Sequence, residues 1–237
     1  KIIEQADQAQ NVLMKQKVEP KGLIKLSCPP VMMEHQIRPL LNQFLKDHPH
    51  VNVEMELTSR RVDVLHDDID LAIRTNFGVN EDSSIIVRDV IKTTHCLVAS
   101  PELLQGQSIE HVTQINDFPS IVLGTQKSHY QWHLHNLKYQ DEIDILLQPR
   151  IKSNDLSGAY FAVLDGLGIA DLPYLTVQDD IAAGRLIHIL PDWCSNLGTV
   201  QLVYASRKGQ RLVMEKLIDH LINGIRAYAP IKEGYLG

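Results

Sequence analysis

A strand, a helix and a second strand follow one another between Leu23 and Leu57 with only short joints, and few sheets accommodate that order. Leu23 to Ser27 reads as an apolar strand, and Cys28-Pro29-Pro30 turns the chain. Ile37, Leu40, Leu41, Phe44 and Leu45 then recur at helical spacing, with Pro39 beginning or kinking the regular part. His48-Pro49 ends that helix, and Val51, Val53, Met55 and Leu57 alternate as a strand. Two strands joined through a helix run parallel, and parallel sheets lie between layers of helices. An α/β fold is the expectation.

The segments that follow extend the same pattern. Thr58 to Leu65 reads as a short helix leading to an apolar strand (Ile69, Leu71, Ala72, Ile73) that ends on Arg74. Ile85-Ile86-Val87 is a second run, ending on Arg88. Cys96 to Ala99 is a third, closing on Ser100-Pro101, where Ser caps a helix and Pro takes its first position. Further on, Ile121 to Leu123 and Arg150 to Ser153 read as strands. A helix is predicted from about Asp155 to Leu167, with Gly166 and Gly168 as its stop and Gly168 as the residue just past its end. Ile169 to Pro173 and Val200 to Ala205 are the last strands, before a helix carrying Met214, Leu217, Leu221 and Ile225 on one face. Ahead of everything, Ile2, Ala6, Ala9 and Leu13 mark an amphipathic helix over residues 2–18, stopped by Pro20 and Gly22.

Composition excludes several classes. At 237 residues the chain forms one large or two small domains. No apolar run approaches the roughly 20 residues of a membrane span, and no secretory signal opens the chain. It begins with Lys1 rather than methionine and reads as part of a longer protein. A net charge of −6 argues against a broad nucleic-acid footprint on this piece. Three cysteines without CxxC spacing fit the reduced thiols of a cytoplasmic protein. Gly166-Leu167-Gly168 ends a helix and so is no dinucleotide loop, and GxSxG, HExxH and P-loop motifs are missing; no enzyme is expected. His129 and His133 would share a helix face, or His133 and His135 a strand face, yet no neighbouring Cys or well-placed carboxylate completes a set. Neither metal nor cofactor is expected.

Ligands of open α/β sheets lie off the carboxyl ends of strands. Arg74, a cation ending an apolar strand, therefore marks an anion site, against the commoner fate of a surface ion pair. Ser27, Cys28 and Pro29 sit at a strand-to-helix turn, either as an ordinary cap or as a nest of donors for a carboxylate. Cys28 either fills space or, with its pKa lowered by the helix start, senses redox state. Ser153 and Asn154 open the long helix as caps or as ligand donors, and Asp155 is read as the cap.

Asp70-Leu71-Ala72-Ile73-Arg74, then Asp82-Ser83-Ser84-Ile85-Ile86-Val87-Arg88, then Leu97-Val98-Ala99-Ser100-Pro101 resemble, in order and spacing, the effector-binding domain of LysR-type transcriptional regulators. GLIKLSCPP, FLKDHPHVNVEMEL, SNDLSGAYFAVLDGLGIADLPYL and GRLIHILPDW extend the resemblance over nearly all of Gly22 to Ile225. It implies two Rossmann-like lobes joined by two crossing hinge strands, the type 2 periplasmic-binding-protein-like plan, with an N-terminal linker helix. Residues 1–19 would be that helix, 22–94 plus 199–229 the first lobe, and 95–196 the second. Thr93 and Thr94 then fall at the hinge and Gly124-Thr125 after the first inner strand of the second lobe. The implied effector cleft is contacted by Ser27, Cys28, Pro29, Arg74, Thr94, Thr125, Ser153 and Asn154. Where the family often has a glycine soon after the arginine, Thr75-Asn76-Phe77 follows here and reshapes the wall. The expected partners are a small-molecule effector, an organic anion on the evidence of Arg74 and the turn donors, and further copies in a homodimer or homotetramer. DNA is a partner through a winged-helix domain ahead of this chain, and no membrane is. The alternative is a solute-binding protein of the same two-lobe plan.

Overall fold

The computed structural model describes residues 19–76, 85–124, 130–205 and 211–228. The amphipathic segment 2–18, the Asp82-Ser83-Ser84 stretch and Thr125 lie outside the described residues. Gly22–Cys28 forms strand β1, which pairs in parallel with β2 (Val51–Leu57), from Gly22 opposite Val51 to Cys28 opposite Leu57. The joint between them is helical but uneven: a turn at Pro30–Met32, a π-helical stretch at Met33–Ile37, and the regular helix α1 (Arg38–Asp47). Pro39 accounts for the unevenness. It offers no N–H to the His35 carbonyl and its ring crowds that carbonyl, so the preceding turn widens and the Arg38 N–H reaches Met33 O.

The remaining strands are β3 (Leu71–Asn76), β4 (Ile85–Ala99), β5 (Ser120–Leu123), β6 (Gln131–Asn136), β7 (Glu142–Leu146), β8 (Pro149–Ser153), β9 (Ile169–Pro173), β10 (Ile187–His188), β11 (Trp193–Cys194) and β12 (Leu197–Ala205). The helices are α2 (Pro101–Leu104), α3 (Leu156–Leu164), α4 (Tyr174–Ala182) and α5 (Leu212–Tyr228). Among the described residues, nine strands form one mixed sheet in the order β2-β1-β3-β12-β4-β9-β5-β8, with β10 beside β4; β11-β6-β7 form a separate three-stranded sheet. β1 is parallel to β2 and β3, and β5 is parallel to β8 and β9, whereas β12 and β9 run antiparallel to β4.

The two apolar runs at 85–87 and 96–99 are opposite ends of one 15-residue strand. Ile85 to Thr94 pair with β12, and His95 to Val98 pair with β9. Burial changes with the partner. Before the switch, Ile24, Leu26, Ile73 and Leu202 meet Ile37 and Phe44 of the helical run and Met214 and Leu221 of α5 in one cluster. After it, strand alternation sends Leu97 into a cluster with Trp132 and Leu134, and Val98 into another with Val163 and Val177.

Two sequence expectations are corrected. Thr58 to Leu65 is irregular rather than helical. Short polar side chains there take the local donors: Thr58 Oγ1 accepts from Arg60 N, Asp63 from Leu65 N and Asp67 from Asp63 N. The long helix ends at Leu164, earlier than Leu167, and Gly166 rather than Gly168 lies just past its end. Gly166 has φ +71° and its neighbour Leu167 donates to Ala162 O, which closes the last turn. Gly168 serves a different need, because a Cβ there would sit 2.7 Å from Pro119 O. The Ser100 cap is present, its side chain accepting from Leu103 N, and so is the Asp155 cap on Ser157 N.

Gly168→Ala is expected to lower unfolding stability by about 1–3 kcal/mol in urea titrations, because the clash is with backbone that cannot rotate away. Gly184→Ala, at φ +72° with open space around it, is expected to cost about 1–2 kcal/mol through backbone strain alone.

Candidate functional site

The carboxyl ends of the parallel strands in both sections of the sheet converge on one cavity of about 440 Å³. Ser27 lies near the end of β1 and Pro29 just after it, Thr58 to Arg61 follow β2, and Arg74 to Asn76 close β3. From the other side come Leu123 at the end of β5, Asn154 after β8 and Pro173 at the end of β9. Thr93 and His95, on either side of the partner switch in β4, also line it. The volume falls within the roughly 300–1,000 Å³ usual for small-molecule sites.

The charge of the lining has one sign. Arg60, Arg61 and Arg74 contribute to it, and no Asp or Glu does among the described residues. Arg60 is braced by Asp67 at 2.7 Å and Glu56 at 2.8 Å, and these two carboxylates, Asp67 first, hold its pKa above the usual guanidinium value. Arg74 lies inside β3 opposite Gln201, so the strand runs two residues past the expected end. Helix starts also border the cavity: Pro29 before the first helical turn, Asn154 and Leu156 at α3, and Leu175 and Thr176 at α4. The start of α4 has no side-chain cap, whereas at α3 the Asp155 carboxylate takes the Ser157 N–H.

The crossing point is tied down from several sides. His95 Nδ1 lies 3.1 Å from Asp171 Oδ2 on β9, and the Ser195 hydroxyl donates to the same oxygen at 2.5 Å. Asn196 Nδ2 donates to Ser195 Oγ, and Asn196 O accepts from His95 N at 3.0 Å. Gln36 Nε2 donates to Leu175 O at 2.7 Å, linking the first helical run to α4 across the cavity wall. The Thr93 hydroxyl is buried without a hydrogen-bond partner among the described residues, at a position that lines the cavity.

Of the residues expected at a ligand, Ser27, Pro29, Arg74 and Asn154 are brought together on this cavity. Three others have different neighbours. The Thr94 hydroxyl donates to His95 O and Asn196 O and stitches the crossing. Ser153 Oγ accepts from Asp155 N and donates to Asp155 O, shaping the turn into α3. Cys28 is fully buried in the first cluster, and burial pushes its thiol far above the usual range, which works against thiolate redox chemistry. Thr125 lies outside the described residues. Thr93, read beside Thr94 at the hinge, lines the cavity, and so do Arg60, Arg61 and His95, which the sequence reading did not single out. The rule that singled out Arg74 applies equally to the residues after β2, and reading that stretch as a helix hid Arg60 and Arg61.

A cleft at the carboxyl ends of two sets of parallel strands, with cations and donors facing inward, defines a small-molecule-binding domain. The chain belongs to the LysR substrate binding domain family, which matches residues 17–226. It is 29% identical over 177 residues to an uncharacterized HTH-type transcriptional regulator of Haemophilus influenzae, covering 73% of this chain and 59% of that protein. It is 27% identical over 208 residues to the HTH-type transcriptional regulator PtxR of Pseudomonas aeruginosa, covering 86% of this chain and 65% of PtxR. The chain thus spans less than two thirds of these relatives, both named as transcriptional regulators. Among solved structures, the regulatory domain of AphB in Vibrio vulnificus superposes with TM-score 0.72 at 26% identity, covering 87% of this chain and all of that one. CrgA of Neisseria meningitidis matches in fold, with TM-score 0.77 at 21% identity, over 94% of this chain and 75% of CrgA. The fold is the type 2 periplasmic-binding-like one of LysR regulatory domains.

All three cysteines are buried, and burial raises the pKa of each. A thiol reagent such as Ellman's reagent is therefore expected to modify none of them quickly in the native protein and all of them after denaturation. Rapid native reaction mapped to Cys28 would restore the redox reading.

Proposed function

We propose that this chain is the effector-binding and oligomerisation domain of a LysR-type transcriptional regulator, and that its effector is a small organic anion. The observation that carries the reading is the inward charge of the cleft: three arginines, with no carboxylate lining it among the described residues. Helix starts at its rim and the unpartnered Thr93 hydroxyl suit a carboxylate as well. Ser27, Pro29, Arg74 and Asn154 are the proposed contacts, with Arg61 and Thr93 added from the cavity wall.

The proposed lobes are residues 22–94 with 199–229, and residues 95–196. They would be hinged where β4 and the chain entering β12 are bound together at Thr94, His95 and Asn196. An effector that touches both sides favours one lobe arrangement by its differential affinity, and that shift is the signal. A winged-helix DNA-binding domain ahead of this chain would receive it through a dimer or tetramer in the cytoplasm. No described helix is long and apolar enough to cross a membrane.

A thermal-shift screen against small mono- and dicarboxylates tests the effector class. A ligand at about 100 times its Kd contributes about 2.7 kcal/mol, which for a chain of this size raises Tm by about 5–10 °C. Arg74→Ala removes a charge-assisted bond of about 1.5–3 kcal/mol, so affinity is expected to fall roughly 10- to 150-fold. An unchanged shift in the variant takes Arg74 out of the site. Stabilisation only by neutral compounds overturns the anion reading.

A further inference from the structure

On the hairpin of β6 and β7, strand alternation sorts side chains into two sets. Trp132 and Leu134 of β6 and Ile145 of β7 are buried, while His133, His135, Glu142 and Asp144 are presented on the opposite, outer face. The antiparallel register sets His133 directly opposite Asp144 and His135 directly opposite Glu142. Carboxylates that are seven and more residues away along the chain thereby complete a set that the histidine spacing alone leaves open.

The pairing is more specific than two parallel ion pairs. His133 uses Nδ1 for Asp144, while its other nitrogen, Nε2, lies 3.7 Å from Glu142 Oε2. His135 Nδ1 lies 3.1 Å from Glu142 Oε1. One nitrogen of each ring thus faces the same carboxylate, and these atoms of His133, His135 and Glu142 all fall within 4.8 Å of one another. Zinc bonds of about 2.0–2.2 Å in a tetrahedron hold ligand atoms roughly 3.4 Å apart, a spacing that the two observed separations bracket. Asp144 stands where a carboxylate behind a metal-bound histidine stands, accepting from the non-ligating N–H and fixing the ring.

We propose that His133 Nε2, His135 Nδ1 and the Glu142 carboxylate form a site for a divalent transition-metal ion, zinc above all, with Asp144 as the orienting partner. Two imidazoles and one carboxylate are a borderline nitrogen and oxygen set, which selects Zn²⁺ and its neighbours over Mg²⁺ or Ca²⁺. The side chains are exposed, His133 by 55% and His135 by 39%, so the remaining coordination positions open to water. β6 is held by β7 on one edge and β11 on the other, which keeps the two rings on a rigid strand.

Calorimetric titration of ZnCl₂ into the tag-free chain tests this, with Co²⁺ absorption as a second readout of nitrogen ligation. Wild type is expected to take up one equivalent saturably. Asp144→Asn is expected to weaken binding by about 10- to 100-fold. His135→Ala and Glu142→Gln should weaken it further, and His133→Ala combined with His135→Ala should abolish it. His133, Glu142 and Asp144 are exposed and His135 is half-buried on the outer face, so circular dichroism and Tm without metal should stay close to wild-type values. Equal affinity in the double variant, or no saturable uptake by wild type, overturns the site. Mg²⁺ matching Zn²⁺ in affinity overturns the nitrogen-ligand assignment.

Discussion

One strand is shared by both halves of this molecule. From Ile85 to Thr94 β4 is held by β12, and from His95 onward by β9, so the backbone that closes the first cluster also opens the second. Neither half can complete its sheet without that strand. The switch of partners happens at Thr94 and His95, and a compact set of bonds fixes it: the Thr94 hydroxyl to Asn196 O, His95 N to Asn196 O, and His95 to Asp171 with Ser195 on the same carboxylate. Asp171 is 8% exposed, and a carboxylate so placed costs free energy unless it is paired. Its ligands come from both segments that pass between the halves, so its burial and the crossing support each other.

The cleft follows from the same topology. Parallel strands on both sides end at the crossing, and chain leaving a parallel strand must turn away from the sheet there. Those turns carry backbone donors, hydroxyls and the arginines, and they face one another because the shared strand brings them together. Cations in such a low-dielectric recess attract an anion more strongly than they would on an open surface. Rigidity around the cleft comes from links such as Gln36 to Leu175, which join elements far apart in the chain.

Much of this was legible from residue patterns because the patterns are local. Alternation in Val51–Leu57, helical spacing of Leu217, Leu221 and Ile225, the Ser100-Pro101 cap and the family's ordered landmarks each depend on a few neighbouring residues. Errors arose where short-range bonding competed. Thr58, Asp63 and Asp67 drew the chain after β2 out of a helix, and with it Arg60 and Arg61 into the cleft. Thr94 and Ser153 are hydroxyls in the expected neighbourhood, yet their bonds close a crossing and a turn. Adjacent residues on a strand point to opposite faces, so Thr93 and not Thr94 lines the cavity.

The α/β class and the order of most elements are properties of periodicity, which a linear chain displays whether folded or not. Cross-strand register is different. It decides that two apolar runs are one strand, that Cys28 is core, and that Glu142 and Asp144 stand opposite His135 and His133. These depend on pairings between segments that are not neighbours in the chain, each selected by the burial that the whole sheet achieves at once, and no local pattern carries that information.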